Sequence, residues 1–133
     1  MNKTVHVSGT RKQARARATV SPGKGIVRIN GKMLSAMEPK VIRLKIQEPI
    51  MLAEELSKKV DIKVVINGGG TQSQAEAARL AIAKGLVAFS GSKTLKKEFL
   101  TYDRHLLVAD VRRNEPHKPN DSKPRSRRQT SYR

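Results

Sequence analysis

The chain has 133 residues, of which 28 are Lys or Arg and 11 are Asp or Glu, giving a formal net charge of +17. This length suits one domain, and so large a charge surplus strains an isolated monomer by self-repulsion and predicts a polyanionic partner. The absence of cysteine excludes disulfides and thiolate metal sites, and the lack of tryptophan with 3% aromatic residues argues against membrane-surface helices.

Residues 4–33 have the pattern of β-strands. In RARATV (15–20), Arg15 and Arg17 alternate with small apolar residues, which is typical of a half-buried strand with a basic outer side. The segment SPGKG then turns the chain and GIVRIN (25–30) returns it. The pattern predicts a basic hairpin from these two strands, followed by a tight turn at Asn30-Gly31.

Two short helices are expected next, because Pro39 and Pro49 each stand where a first helical turn tolerates a missing amide. The alternation in DIKVVIN (61–67) then predicts a strand. After three glycines, residues 71–89 predict a long helix that begins with a capping box, either Thr71 with Gln74 or Ser73 with Glu76. The small alanines of this helix allow close approach to the sheet. Its apolar residues fall on one face at helical spacing: Ala75, Ala78, Ile82, Leu86 and Phe89.

A last helix near 93–101 is expected to present Leu95, Phe99 and Tyr102 to the core. Beyond residue 108 large apolar residues almost disappear, and three prolines prevent a continuous helix. We therefore expect an α+β or split βαβ domain at residues 1–103 and a long basic tail at residues 104–133 that is disordered when alone in water. No apolar stretch reaches the length of a signal-peptide core or a membrane span, so a soluble intracellular protein is expected.

Catalytic or metal-binding residues are not evident. The three histidines (His6, His105 and His117) are far apart in sequence, and no carboxylate pair suggests general acid/base chemistry. Gly68-Gly69-Gly70 lies between a strand and a helix, where backbone amides can bind a phosphate, but a tight turn that needs positive φ explains the glycines equally well. We expect no enzyme activity, no cofactor and no metal.

The cations form two dense groups. The first is Arg11, Lys12, Arg15 and Arg17, and the second lies in the tail, where nine cations stand against three anions from Arg104 onward. Guanidinium groups bind phosphate in a bidentate manner and stack on bases, so RNA is the expected polyanion.

Four segments in this order carry a resemblance to a known family: GTRKQARARATVSPGKGIVRINGK, INGGGTQSQAEAARLAIAKGL, YDRHLLVADVRR and RSRRQTSYR. Together they resemble the universal ninth protein of the small ribosomal subunit, the ribosomal protein S nine family, in its archaeal form. The resemblance covers nearly the whole chain.

The resemblance implies a domain with a left-handed βαβ crossover, like the second domain of ribosomal protein S five, seated on ribosomal RNA in the head of the subunit beside neighbouring head proteins. It implies a cytoplasmic, ribosomal location and a tail that reaches the peptidyl-site tRNA with Arg128, Tyr132 and Arg133. The residues expected to bind ribosomal RNA are Arg11, Lys12, Arg15, Arg17, Gly68, Gly69, Gly70, Arg104, Arg112, Arg113, Arg125 and Arg127.

Two other functions remain open on the residues alone. The charge would equally suit a free-standing nucleic-acid-binding or chaperone-like protein. The glycine turn would suit a small-molecule kinase, although the chain lacks the carboxylates that phosphoryl transfer normally needs.

Overall fold

The computed structural model describes residues 3–126 and residue 132. A strand-rich half is followed by a helix-rich half, which confirms the α+β class, and short 3-10 turns lie at Leu34–Ala36 and Arg104–Leu106. The elements are, in order, β1 (Val5–Arg11), β2 (Ala14–Pro22), β3 (Val27–Ile29), β4 (Lys32–Met33), α1 (Lys40–Leu52), α2 (Glu54–Ser57), β5 (Val60–Asn67), α3 (Thr71–Ser90) and α4 (Lys93–Tyr102).

The five strands form one mixed sheet in the order β1-β2-β5-β3-β4. β2 pairs antiparallel with both β1 and β5, whereas β3 runs parallel to β5. The connection between these parallel strands contains α1 and α2. The predicted strand at residues 61–67 is confirmed, with Ile62, Val64 and Ile66 buried on one face.

The hairpin predicted from β2 and β3 is wrong, because β5 lies between them. Val64 of β5 is opposite Ala18 of β2 on one side and beside Ile29 of β3 on the other. The connecting loop must therefore span two strand spacings, roughly 10 Å. Asp61 fixes the conformation of this loop, because its Oδ1 accepts hydrogen bonds from the amides of Lys24 and Ile26 at 2.8 and 3.0 Å.

The tight turn at Asn30-Gly31 is confirmed. It joins β3 to β4 with Ile29 opposite Lys32, and both turn residues have positive φ, 48° and 83°. These values suit the type I′ turn that a two-residue hairpin requires.

The two short helices expected after Pro39 and Pro49 are only partly confirmed. Pro39 immediately precedes α1, but Pro49 lies inside that helix, which continues to Leu52. The missing amide of Pro49 costs only the bond to the Lys45 carbonyl near the helix end, and its ring is buried. The break occurs instead at Ala53, with φ −112° and ψ 45°.

The long helix α3 is confirmed, but the predicted capping box is wrong. The N-cap is Gly70, which has no side chain to cap with, so Thr71 and Ser73 already lie within the first turn. The Gln74 side chain donates instead to the carbonyl of Gly68 at 3.0 Å. In α4, Phe99 is fully buried and Leu95 packs against the core, whereas Tyr102, at the last position of the helix, is 57% exposed, contrary to prediction.

The helices α1 to α4 all lie on the same side of the sheet. The helix α3 packs directly on β1, β2 and β5, and α1 packs against α3. The contact is close because small residues face each other: an added Cβ at Gly9 of β1 would lie 2.6 Å from the Ala77 carbonyl oxygen and 2.8 Å from the Ala81 amide nitrogen. The predicted close approach of α3 to the sheet is thus confirmed.

Replacing Gly9 by alanine should destabilise the protein by about 1–3 kcal/mol, because the new methyl group would push the α3 backbone away from the sheet. Chemical denaturation of the purified chain measures the change. The matched control is Ser8→Ala on the same strand, where the side chain is exposed on the opposite face and a change within about 0.5 kcal/mol is expected. Equal stability of both variants would contradict the close-contact interpretation.

A cluster of ion pairs joins the start of the tail to the body. The Nε of Arg11 lies 2.6 Å from a carboxylate oxygen of Glu76 in α3, and Lys45 of α1 lies 2.8 Å from the other. Arg11 also reaches Asp110 at 3.6 Å and donates to the Arg112 carbonyl at 3.4 Å. Its side chain is only 12% exposed, so β1, α1, α3 and residues 110–112 meet around this guanidinium.

The charges around Arg11 also set a pH dependence. Burial raises the pKa of Glu76, but hydrogen bonds from Lys45 and Arg11 outweigh it, so the pKa lies below its ordinary value of 4.5. The hydrogen bonds from Arg112 likewise lower the pKa of Asp110. A carboxyl group whose pKa is lowered in the folded state contributes its full stability above its ordinary pKa. That contribution is lost as the pH falls through the folded value, starting below 4.5 for Glu76 and below 3.8 for Asp110.

Arg11→Gln should release residues 110–113 from the body and lower the free energy of unfolding by about 2 kcal/mol, because hydrogen-bonded ion pairs are lost at a shielded position. Limited trypsin digestion measures the release as faster cleavage after Arg112 and Arg113. Arg15→Gln has the same change of charge at an exposed position and should leave that cleavage rate unchanged. Unaltered cleavage in Arg11→Gln would show that the cluster does not hold the tail.

Candidate nucleic-acid interface

The sheet face opposite the helices is open to solvent and basic. Side chains alternate along each strand, so the buried residues of β2, β3 and β5 point to the helices, and the residues between them, which are polar except for Val65, point outward. The strand pairing brings the outward cations onto neighbouring strands. Arg28 lies beside Lys63, and Arg17 lies opposite Val65, two residues along β5 from Lys63. This open face carries Arg15, Arg17, Arg28 and Lys63, together with His6, Ser8, Thr10, Thr19, Val65 and Asn67.

The open face offers polar donors and an apolar spot besides its cations. His6 Nδ1 lies 3.1 Å from the Thr19 hydroxyl, which joins β1 to β2. Val65, at the centre of the face, is 47% exposed. In its described strands the face has no Phe, Tyr or Trp, so phosphate and sugar contacts, rather than stacking of bases on aromatic rings, are the interactions it can make.

Carboxylates near the open face are already engaged. Asp61, at its edge, accepts the loop amides described above, and these hydrogen bonds lower its pKa despite partial desolvation. Four other acids form ion pairs on the helical side. Glu76 and Asp110 lie in the cluster around Arg11, and Glu48 and Asp103 pair with Arg79. The positive charge of the open face is therefore not offset by neighbouring carboxylates.

The glycine turn precedes α3 at the end of β5. Gly68 and Gly69 have positive φ, 74° and 68°, and an added Cβ at either would lie 2.7–2.8 Å from the backbone of Gln13 or Ala14. The tight-turn explanation therefore accounts for both residues. Gly70 differs, because its φ is −90° and a Cβ there would meet open space.

A recess lies in front of this turn. Lys12, with φ 52° in the β1–β2 turn, and Arg113 from the start of the tail line it together with Gly69, Gly70 and Ser73. The N-terminal amides of a 20-residue helix and two cations thus border one concave surface. Such a surface favours anions.

The predicted RNA-binding residues fall into several environments. Arg15 and Arg17 lie on the open face, and Lys12, Arg113, Gly69 and Gly70 line the recess, whereas Gly68 only shapes the turn. Arg11 is held in the ion-pair cluster, Arg112 pairs with Asp110 at 2.6 Å, and Arg125 Nε donates to Glu115 at 2.8 Å. Arg104 is exposed in the 3-10 turn, and Tyr132 is 91% exposed. Arg127, Arg128 and Arg133 lie outside the described residues.

Arg28 and Lys63 on the open face were missed by the sequence analysis. Each occupies a polar position within an alternating strand, GIVRIN or DIKVVIN. That alternation could have placed them on the outer side, but only the strand order puts Lys63 on the strand next to Arg17 and Arg28 on the strand beyond it.

Other kinds of site find little support within residues 3–126. No group of three or more His, Asp or Glu side chains there is arranged to hold a metal ion. No helix among these residues is both long enough and apolar enough to cross a membrane.

Comparison with known proteins gives a consistent family. The profile of the family described as ribosomal protein S9/S16 matches residues 9–133. The chain is 53% identical to small ribosomal subunit protein uS9 of Methanococcus vannielii, over 98% of this chain and 99% of that protein. It is 50% identical to the protein of the same name from Methanococcus maripaludis strain C7, over the same shares. The chain therefore belongs to the ribosomal protein S9/S16 family, in its archaeal type, a family of structural rather than enzymatic proteins.

Proposed function

We propose that the protein is a structural component of the small ribosomal subunit in the cytoplasm, and that it binds ribosomal RNA with its open sheet face. Membership of the family and the names of the Methanococcus relatives support the ribosomal role. The observation that carries the RNA contact is the grouping of Arg15, Arg17, Arg28 and Lys63 on a sheet face that none of the helices within residues 3–126 covers.

The geometry of the open face suits a phosphate backbone. Arg15 and Arg17 lie two residues apart on β2, roughly 7 Å, and Arg28 and Lys63 lie on adjacent strands roughly 5 Å apart. A rigid sheet holds these cations at fixed spacing, so little ordering is needed on binding. Backbone contacts of this kind position a protein on RNA without reading its sequence.

The recess before α3 forms a second RNA contact in this proposal. Lys12 and Arg113 supply charge, and the open backbone at Gly70 lets a phosphate approach the helix N-terminus. Gly68 and Gly69 act by shaping the turn. Arg11 and Arg112 contribute mainly by fixing where the tail leaves the body, and Arg104 and Arg125 bind RNA phosphates along the surface and the tail.

The tail completes the proposed function. As the family resemblance implies, it extends through the head of the subunit, where Arg127 contacts ribosomal RNA and Arg128, Tyr132 and Arg133 reach the peptidyl-site tRNA. The left-handed crossover between β3 and β5 likewise stays a prediction from the resemblance.

Sedimentation of the endogenous protein across a salt series, with and without ribonuclease, tests the ribosomal role. A structural component stays stoichiometric with small-subunit RNA until salt dismantles the subunit. A free-standing nucleic-acid-binding protein would leave the particle at moderate salt and remain near the top of the gradient, and that result would overturn the proposal.

Neutralising the open face should weaken RNA binding and its dependence on salt. For Arg15→Gln/Arg17→Gln/Arg28→Gln, the slope of log K against log salt should become shallower by roughly two, because each lost phosphate contact removes about 0.7–0.9 of slope. Filter binding of purified full-length chain to naked small-subunit RNA measures it. Lys93→Gln/Lys96→Gln/Lys97→Gln removes the same charge from exposed positions of α4 and should change the slope by less than half as much.

Deleting Arg133 should leave incorporation into the subunit intact and weaken peptidyl-site tRNA binding by about 0.5–2 kcal/mol, the size expected of one charged hydrogen-bonded contact. Equilibrium binding of tRNA to purified small subunits measures the loss. Arg133→Lys keeps the charge without the bidentate fork and should give an intermediate affinity. Wild-type affinity in the deletion would remove the terminal-contact claim.

A further inference from the structure

An apolar groove lies on the helical side of the protein. Met51 and Leu52 at the end of α1, Leu56 of α2 and Leu95 of α4 line an open cavity of about 560 Å³. Met51 is 70% exposed and Leu52 is 38% exposed, while Leu56 and Leu95 pack partly against the core. The break at Ala53 turns α2 away from the axis of α1 and leaves the groove between α2 and α4.

The rim of this groove is acidic, in contrast to the rest of the chain. Glu54 and Glu55 of α2 and Glu98 of α4 line it, with Lys59 as the opposing charge. Glu54 also pairs with Lys58 at 2.6 Å. The chain has a formal charge of +17, whereas the three carboxylates make the charge around this exposed apolar surface locally negative.

The charges and the apolar lining restrict what can occupy the groove. The phosphates of an RNA backbone would be repelled by the carboxylates, and so would the headgroups of an anionic membrane. A second copy of this chain in a two-fold dimer would place the acidic rim against itself and bring together two strongly basic molecules. None of these occupants matches both the carboxylates and the apolar side chains.

We propose that the groove binds a basic segment of a neighbouring protein, with that segment's apolar side chains against Met51, Leu52 and Leu95 and its cations against Glu55 and Glu98. An amphipathic helix or an extended segment laid in a groove is a common mode of peptide recognition. The groove lies on the helical layer and the RNA-binding face lies on the sheet, so the protein joins RNA on one side to protein on the other. The groove does not depend on the RNA contact.

Site-specific photocrosslinking in living cells tests this proposal. Cells carry the full-length chain as their only copy, with benzoylphenylalanine at position 51, where the exposed side chain tolerates replacement. The expected product joins position 51 to a protein segment of net positive charge, identified by mass spectrometry. A crosslink to RNA or to a second copy of the chain, or no crosslink at all, would overturn the proposal.

A matched pair of charge changes tests the acidic rim. Glu98→Lys should reduce the crosslink from position 51 at least fivefold, whereas Glu38→Lys, the same change at an exposed acid outside the groove, should not reduce it. Equal yields in the two variants would contradict the charge-complementary fit. Benzoylphenylalanine at position 65 of the open face should crosslink to RNA, so its failure would count against the proposed function and not against the groove.

Discussion

The close contact of α3 with β1 and β2 determines which surface the protein presents. Gly9 and the alanines of α3 let the helix lie nearly against the strand backbone, and Gly85 allows Val20 a similar approach from the sheet. Because α1 and α4 pack against α3, the whole helical layer occupies one face. The other face is left uncovered by the part of the chain that the structure describes, and the alternation of side chains along β2 and β3 places their arginines there.

The distribution of the few carboxylates is as important as the number of cations. Glu48, Glu76, Asp103 and Asp110 pair with arginine or lysine on the helical side, and Asp61 organises the loop between β2 and β3. Because these carboxylates are paired within the protein, they stabilise local structure without neutralising the cations of the open face. The same chain can thus hold its fold with ion pairs and still present a cationic surface to a polyanion.

Local patterns predicted local structure well. The alternation in β5, the face of α3 and the Asn30-Gly31 turn follow from neighbouring residues. Strand order does not, because β5 enters between β2 and β3 from thirty residues further along the chain, and the false β2–β3 hairpin and the missed Arg28 and Lys63 both result from this. The role of Arg11 also needed the structure, since its partners lie 65 to 101 residues away. The family itself was recognisable from the ordered motifs, which require no knowledge of packing.

In the function proposed above, the attachment of residues 110–112 to Arg11 limits the volume in which the tail searches for tRNA. Twenty residues follow Arg113, and a chain of that length reaches at most about 70 Å from its point of attachment. In that proposed assembly, Arg133 stays within that radius of the bound body, so its encounter with a tRNA site inside the radius becomes intramolecular, with an effective concentration that can reach the millimolar range. A weak terminal contact can then be highly occupied, and it can be made and broken rapidly while the body stays bound.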